Sequence, residues 1–227
     1  MGLSVAVVGS GRMGSFVGKQ LPKEVRKIFI DIDEAKAKEL AQALGGEYAI
    51  SAEGAKDADV IAVVLPAKAV NDTVKEIAKV AREGAIILNM ATSGTVEDDV
   101  KKKHLSLHFV DAKIIGSAKV MAMGFPSCVV LGTKDSDILE KARYLLPGYT
   151  KVTMGDAALV PKINTIGSTE GILAALEVRR KLKELNLPKE WEDVAIYTVC
   201  AGTMIAYVDN DLGEFGRKIV QENTDRE

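Results

Sequence analysis

Six consecutive residues, Gly9-Ser10-Gly11-Arg12-Met13-Gly14, follow the apolar run Ser4–Val8 and open a stretch with helical spacing. Glycines at these intervals, between a strand and a helix, suit the binding of a pyrophosphate. The first permits a tight turn, the second lets the backbone approach the phosphates, and the third lets helix and strand pack closely. The N–H groups at the start of the helix then face the anion, and the helix dipole adds positive partial charge. Gly9, Ser10, Gly11, Arg12, Met13 and Gly14 are therefore candidate cofactor contacts.

Asp31 closes the next apolar run, about twenty residues beyond the first glycine, where a carboxylate can accept hydrogen bonds from an adenosine ribose and repel a 2′-phosphate. That favours NAD over NADP, although Arg12 in the glycine loop works against the preference. Capping of the following helix is the other role open to Asp31, with Asp33 competing for it. Leu65-Pro66-Ala67 and Met90-Ala91-Thr92-Ser93 end two further strand-like runs. In open α/β sheets the ligand crevice lies beyond the carboxyl ends of the strands. Leu65, Pro66, Thr92 and Ser93 could border a ribose and nicotinamide there, or be ordinary polar turns.

The elements that must carry these residues follow from periodicity. Short apolar runs at 4–8, 27–32, 60–65, 85–90, 109–115, 128–131 and 150–154 read as buried strands. Amphipathic stretches at 13–21, 34–44, 70–81 and 137–145, with a short charged one ending at Lys103, read as helices. Gly45-Gly46 and Pro147-Gly148 supply stop signals. Alternation of this kind predicts an α/β Rossmann fold, a doubly wound and mostly parallel sheet, over residues 1–155. From 156 to 227 only helical spacing remains, through Ile163, Ile166, Leu173, Leu176 and Leu182, with breaks near Pro188 and at 209–213. A small all-helical C-terminal domain is expected there, contributing to the substrate site. It is small for an independent core, so a homodimer is expected. The apolar run 194–208 is too short to span a bilayer and reads as a buried helix.

In 227 residues, 47% are hydrophobic, 27% are charged and the net charge is −2. Such a chain is expected to be globular, with no electrostatic reason to bind nucleic acid or an anionic membrane. The N-terminal sequence lacks the basic flank and cleavage site of a signal peptide. Cys128 and Cys200 stand far apart in apolar surroundings, as structural thiols suited to a reducing cytoplasm. His104 and His108 precede a strand rather than end one, so neither is a catalytic candidate. Trp191, Tyr197 and Tyr207 suit packing. No Ser–His–acid triad, zinc spacing or P-loop stands in a convincing context.

The motif at 9–14, together with Leu65-Pro66, Thr92-Ser93, Phe109-Val110-Asp111-Ala112 and Gly116-Ser117, resembles the β-hydroxyacid dehydrogenases, which include 3-hydroxyisobutyrate dehydrogenase and imine-reducing relatives. The likeness runs on through Gly124, Gly132 and Gly155 to Lys162. It implies hydride transfer between NAD(H) and a small hydroxy acid, carbonyl or imine, with Lys162 as catalytic acid/base and Gly116 and Ser117 in a substrate loop. Lys162 shares a helical stripe with Thr165 and Thr169 and has Leu159, Ile163 and Ile166 as apolar neighbours. A partly desolvated ammonium there could pass a proton during hydride transfer, or the residue is a surface lysine. Thr165 and Asn164 complete the candidate substrate contacts, Asn164 pointing across the helix from Lys162. Ile166 replaces an asparagine of the family, Lys113 and Ile115 replace its usual proline and serine, and the helical part is shorter. Those departures keep two alternatives open: a dinucleotide-binding sensor or scaffold without turnover, and a deazaflavin-dependent NADP reductase. Pyrroline-5-carboxylate reductases share the same first domain.

Overall fold

The computed structural model describes residues 2–147 and 150–224; Gly148 of the expected Pro147-Gly148 stop lies outside them. In chain order the elements are β1 Ser4–Val8, α1 Arg12–Gln20, β2 Arg26–Ile30, α2 Glu34–Leu44, β3 Glu47–Ala49, β4 Val60–Val63, α3 Ala67–Val80, β5 Ile86–Asn89, α4 Asp98–Lys103, β6 His108–Ile115, α5 Ala118–Met121, β7 Ser127–Leu131, α6 Ser136–Leu145 and β8 Thr150–Met154. The helices α7 Val160–Lys183, α8 Lys189–Val194, α9 Ala201–Val208 and α10 Glu214–Thr224 follow, with a π-helical segment Ala195–Cys200 between α8 and α9.

The strands form one sheet in the order β3-β2-β1-β4-β5-β6-β7-β8. All neighbours are parallel except β6 and β7, where Ile115 pairs with Cys128 and Ala112 with Leu131. A parallel sheet must be covered on both faces, and β1 shows how the sequence meets that demand. Val5 and Val7 point into a core with Phe16 and Val17 of α1. Ala6 and Val8, on the opposite face, pack with Val70, Val74 and Ile77 of α3. Every residue of β1, β4 and β5 is buried. Each large aliphatic side chain so placed contributes about 1.5–3 kcal/mol of transfer free energy.

Local signals set the element ends. Asp33 caps α2, its carboxylate accepting the Lys36 N–H at 3.3 Å, and Gly45 closes the helix in the left-handed region at φ 67°. That leaves Asp31 outside the capping role. The helix α3 begins at Ala67, three residues ahead of the expected 70, with Pro66 at its N-cap. The edge strand β3 was not expected; three residues, none buried, give no periodic signal.

The chain divides into two compact units, residues 1–164 and 165–227. The sequence pattern changes near 155, but the short 3₁₀ turn Ala157–Leu159 and the first turn of α7 stay with the sheet. Val160 is fully buried, and Asn164 Nδ2 donates to the Ile114 carbonyl at 2.8 Å. The regular structure of the second unit's described residues is helical, with breaks at 184–188 and 209–213, as expected. The expectation of a buried helix over 194–208 does not hold within the chain: no residue of α8, the π-helical segment or α9 is buried. Too few elements surround it to cover its apolar surface.

The crossing of α1 over the end of β1 depends on Gly14. A Cβ added there would overlap the Gly9 carbonyl oxygen, a backbone atom that cannot swing aside. Gly14→Ala should therefore lower stability by about 3 kcal/mol or more, read as a fall in the urea midpoint with an unchanged slope.

Candidate functional site

The carboxyl ends of β1, β4, β5 and β6 converge on a cleft of about 400 Å³. The glycine loop forms its floor. Gly9, at φ +105°, makes the turn out of β1, and its N–H donates to Ile30 O at 2.7 Å. A Cβ at Gly9 would overlap the carbonyl oxygen of Val64, so the loop lies tightly against the end of β4. Gly11 is the N-cap of α1 and supplies no side-chain cap, which leaves first-turn N–H groups for an external anion. A Cβ added at Gly11 would meet nothing within 4 Å, so its missing side chain leaves open space on the cleft side of the loop.

The candidate residues divide clearly by position. Gly11, Arg12, Met13 and Gly14 line the cleft on one side. Leu65 and Pro66 line it at the end of β4, and Thr92 beyond β5. Gly116 and Ser117 form the lip beyond β6 with Lys119. Among the described residues no carboxylate lines it, and Arg12 and Lys119 make its electrostatics suited to an anion. Ser93 is exposed beside Thr92 but does not line the cleft. Gly9 and Ser10 do not line the cleft, and the buried Ser10 hydroxyl oxygen has no hydrogen-bond partner among the described residues.

Asp31 stands at the far side of the glycine loop. Its Oδ2 accepts the Ser10 N–H at 2.7 Å and its Oδ1 the Asp33 N–H at 2.9 Å. A carboxylate has about four acceptor sites, so capacity remains for hydroxyl donors. Asp31 also borders a slot of about 160 Å³ whose other walls are largely apolar, including Ile32, Ile50, Ala52 and Leu65. Ile32 is 97% exposed, an arrangement that leaves a large apolar face ready to cover a flat ring. Periodicity does not reveal this slot, because one wall is the irregular segment Ile50-Ser51-Ala52 and the opposite wall comes from Leu65, Ala69 and Thr73, distant in the chain.

Lys162 and Asn164 belong to the first unit but do not line the cleft. Lys162 is exposed, and so are Leu159, Ile163 and Ile166 at 54%, 43% and 53%. The apolar shielding expected around its ammonium is thus not provided within the chain. The amide donor of Asn164 is committed to Ile114 O. Thr165 begins the second unit.

Sequence reasoning missed a buried polar cluster below the 91–94 turn. Asn89 and Asp111 are register partners on β5 and β6, and Lys113 lies two residues farther along β6 on the same face. Lys113, only 3% exposed, donates to Ala91 O at 2.7 Å and Gly94 O at 2.6 Å, and pairs with Asp111 Oδ1 at 3.3 Å. Asn89 Nδ2 donates to Gly94 O and Asp111 Oδ1, both at 2.7 Å. Burial pushes the Lys113 ammonium below its ordinary pKa, while the Asp111 carboxylate pulls it back up. The available signal was a lysine inside the apolar run 109–115, two residues after an aspartate.

The geometry defines a dinucleotide-binding Rossmann site, and comparison with known proteins specifies it further. Residues 4–155 match the family model described as the NAD binding domain of 6-phosphogluconate dehydrogenase. The chain therefore belongs to that family of NAD(P)-binding oxidoreductases. No protein of curated function matches the sequence significantly. Solved structures share the fold at low identity. A pyrroline-5-carboxylate reductase from Coxiella burnetii is 13% identical, with TM-score 0.70, over 96% of this chain and 83% of that one. A 3-hydroxyisobutyrate dehydrogenase from Salmonella typhimurium is 18% identical, with TM-score 0.63, over 92% and 79%. An imine reductase variant from Myxococcus stipitatus in complex with NAD+ is 17% identical, with TM-score 0.60, over 92% and 74%. Among the described residues no helix is long and apolar enough to cross a membrane, and no group of three or more His, Cys, Asp or Glu could hold a metal.

The contrast between Gly11 and Gly14 gives a direct test of the cleft. Gly11→Ala should fold with unchanged stability, since its Cβ has room, yet weaken nucleotide binding by about tenfold or more through steric exclusion. Thermal melting and fluorescence titration of the same preparation would measure both effects.

Proposed function

We propose that the protein transfers hydride between NAD(H) and a small hydroxy acid, carbonyl or imine. The observation that carries this reading is the convergence of a helix N-terminus without a side-chain cap, the Thr92 turn and the Gly116–Ser117 lip on one cationic cleft. Gly9, Gly11 and Gly14 would hold the pyrophosphate, with Ser10, Arg12 and Met13 beside it. Asp31 would accept the adenosine ribose hydroxyls, and the slot beside it would take the adenine. Leu65, Pro66 and Thr92 would flank the nicotinamide half. When bound, the nicotinamide supplies the hydride chemistry; the chain supplies orientation and electrostatics. Ser93, Gly116, Ser117, Asn164 and Thr165 would border the substrate, and Lys162 would give or take the proton.

Several properties support the finer points. Asp31 presents a carboxylate where a 2′-phosphate would otherwise sit, with no arginine at 32 or 33 to receive one, which favours NAD over NADP. The large apolar residues left exposed in the helical unit, among them Leu173 at 52%, Tyr197 at 68% and Phe215 at 79%, favour a homodimer. Burial in that dimer would give Lys162 the shielding it lacks within one chain. Two free cysteines suit a reducing cytoplasm.

One observation favours a second reading, a dinucleotide-binding protein without turnover: Lys162 is exposed and does not line the cleft. Separate titrations with NADH and NADPH come first, and NADH should bind more tightly. Tighter NADPH binding would overturn the assignment of Asp31. Small hydroxy acids and imines would then be screened for turnover. With a substrate found, Lys162→Ala should lower kcat about 10²- to 10⁴-fold with little change in NADH affinity. An unchanged rate would remove Lys162 from the mechanism, and binding without any turnover would favour the second reading.

A further inference from the structure

We propose that Lys113 is a positioning residue: it ties both ends of the 91–94 turn to the sheet and thereby fixes Thr92 at the cleft. The inference rests on the reading of that cleft as the nucleotide site. An ammonium group has three donors, and the structure gives Lys113 three acceptors: Ala91 O, Gly94 O and Asp111 Oδ1. Two of them are backbone carbonyls at the two ends of one turn. Between those ends stand Thr92 and Ser93, both exposed, and Thr92 lines the cleft.

The other members of the cluster reinforce the same segment. Asn89 Oδ1 accepts the Ala91 N–H at 3.3 Å, while its Nδ2 reaches Gly94 O and Asp111. Every group that touches the turn from below is thus itself held by another member. From above, Gly94 lies against α3: an added Cβ would come within 2.6 Å of Val70 Cγ2 and 3.1 Å of Ala67 Cα. The turn is clamped between a helix and a buried cation.

Packing alone does not select a lysine here, because an ammonium is costly to desolvate. Lys113→Met spares that cost, while Asp111, at 34% side-chain exposure, can turn to solvent and Gly94 O keeps the Asn89 amide as a donor. The surrounding positions Ala112 and Ile114 are apolar and buried, as the strand demands. The specific gain from lysine at 113 is geometric, since no apolar residue can bind two carbonyls that stand three positions apart in one turn. A turn held in its binding-competent conformation avoids the loss of affinity that partial occupancy of that conformation imposes.

The test compares wild type with Lys113→Met, which keeps the length of the side chain and removes the donors. Hydrogen exchange of the nucleotide-free protein should show amides 91–97 exchanging about tenfold faster in the variant, with strands β1 and β4 unchanged. The Kd for NADH should rise about tenfold, as expected if the turn spends a tenth of its time competent, while the melting temperature moves by only a few degrees. Equal protection at 91–97 and equal NADH affinity in a folded Lys113→Met protein would overturn the proposal. Should that variant not fold, Asp111→Asn decides, because it preserves shape and weakens one of the three ties. A smaller rise in exchange at the same amides, about threefold, is then expected, and no change overturns the proposal. Wild-type protein that binds neither NADH nor NADPH would instead overturn the cofactor reading, leaving the exchange contrast at 91–97 to judge Lys113 by itself.

Discussion

The contact between Gly14 and the Gly9 carbonyl sets the geometry on which the remainder of the first unit depends. Because no side chain intervenes, α1 can start directly above the end of β1 and lie close against the sheet. Phe16 and Val17 then reach the core beside Val5 and Val7, and the helix N-terminus opens toward the ends of β4 and β5. A helix displaced outward by even one methyl group would separate its N–H groups from the neighbouring turns. Core packing and site geometry are here two results of one steric condition.

The candidate site is a property of strand order as much as of its residues. The sheet runs outward from β1 in both directions, toward β2 on one side and β4 on the other. The crevice at that reversal is where an open α/β sheet leaves room for a ligand. Asp31 and the apolar slot lie on the β2 side, whereas Thr92 and the Gly116–Ser117 lip lie on the other. An extended ligand with a phosphate centre and two unlike ends fits this division.

Much of the first unit was legible because buried parallel strands leave continuous apolar runs, and because glycines, prolines and Asp33 mark where helices start and stop. The glycine turn between β1 and α1 was legible for the same reason: its geometry is local and resides in six adjacent residues. The cluster of Asn89, Asp111 and Lys113 was not, since its members come together only through the register of β5 against β6. The slot beside Asp31 joins Ile32 and the irregular segment at 50–52 to Leu65, Ala69 and Thr73, a meeting of distant residues that leaves no periodic signal. In the helical unit the spacing showed the helices but not their environment. Exposure of Trp191 at 63% and Val208 at 75% follows from how little of the chain is available to cover them, which periodicity does not encode.

The double engagement of Asp31 bears on cofactor engineering. Its carboxylate already receives the N–H of Ser10 from the glycine loop and that of Asp33 from the start of α2. Exchanging it for a neutral or basic residue to admit a phosphorylated ribose would leave two backbone donors searching for new acceptors. Changing the residue at 31 thus requires a redesigned segment rather than a single replacement. The chemistry presented at this position and the shape of the glycine loop are inseparable.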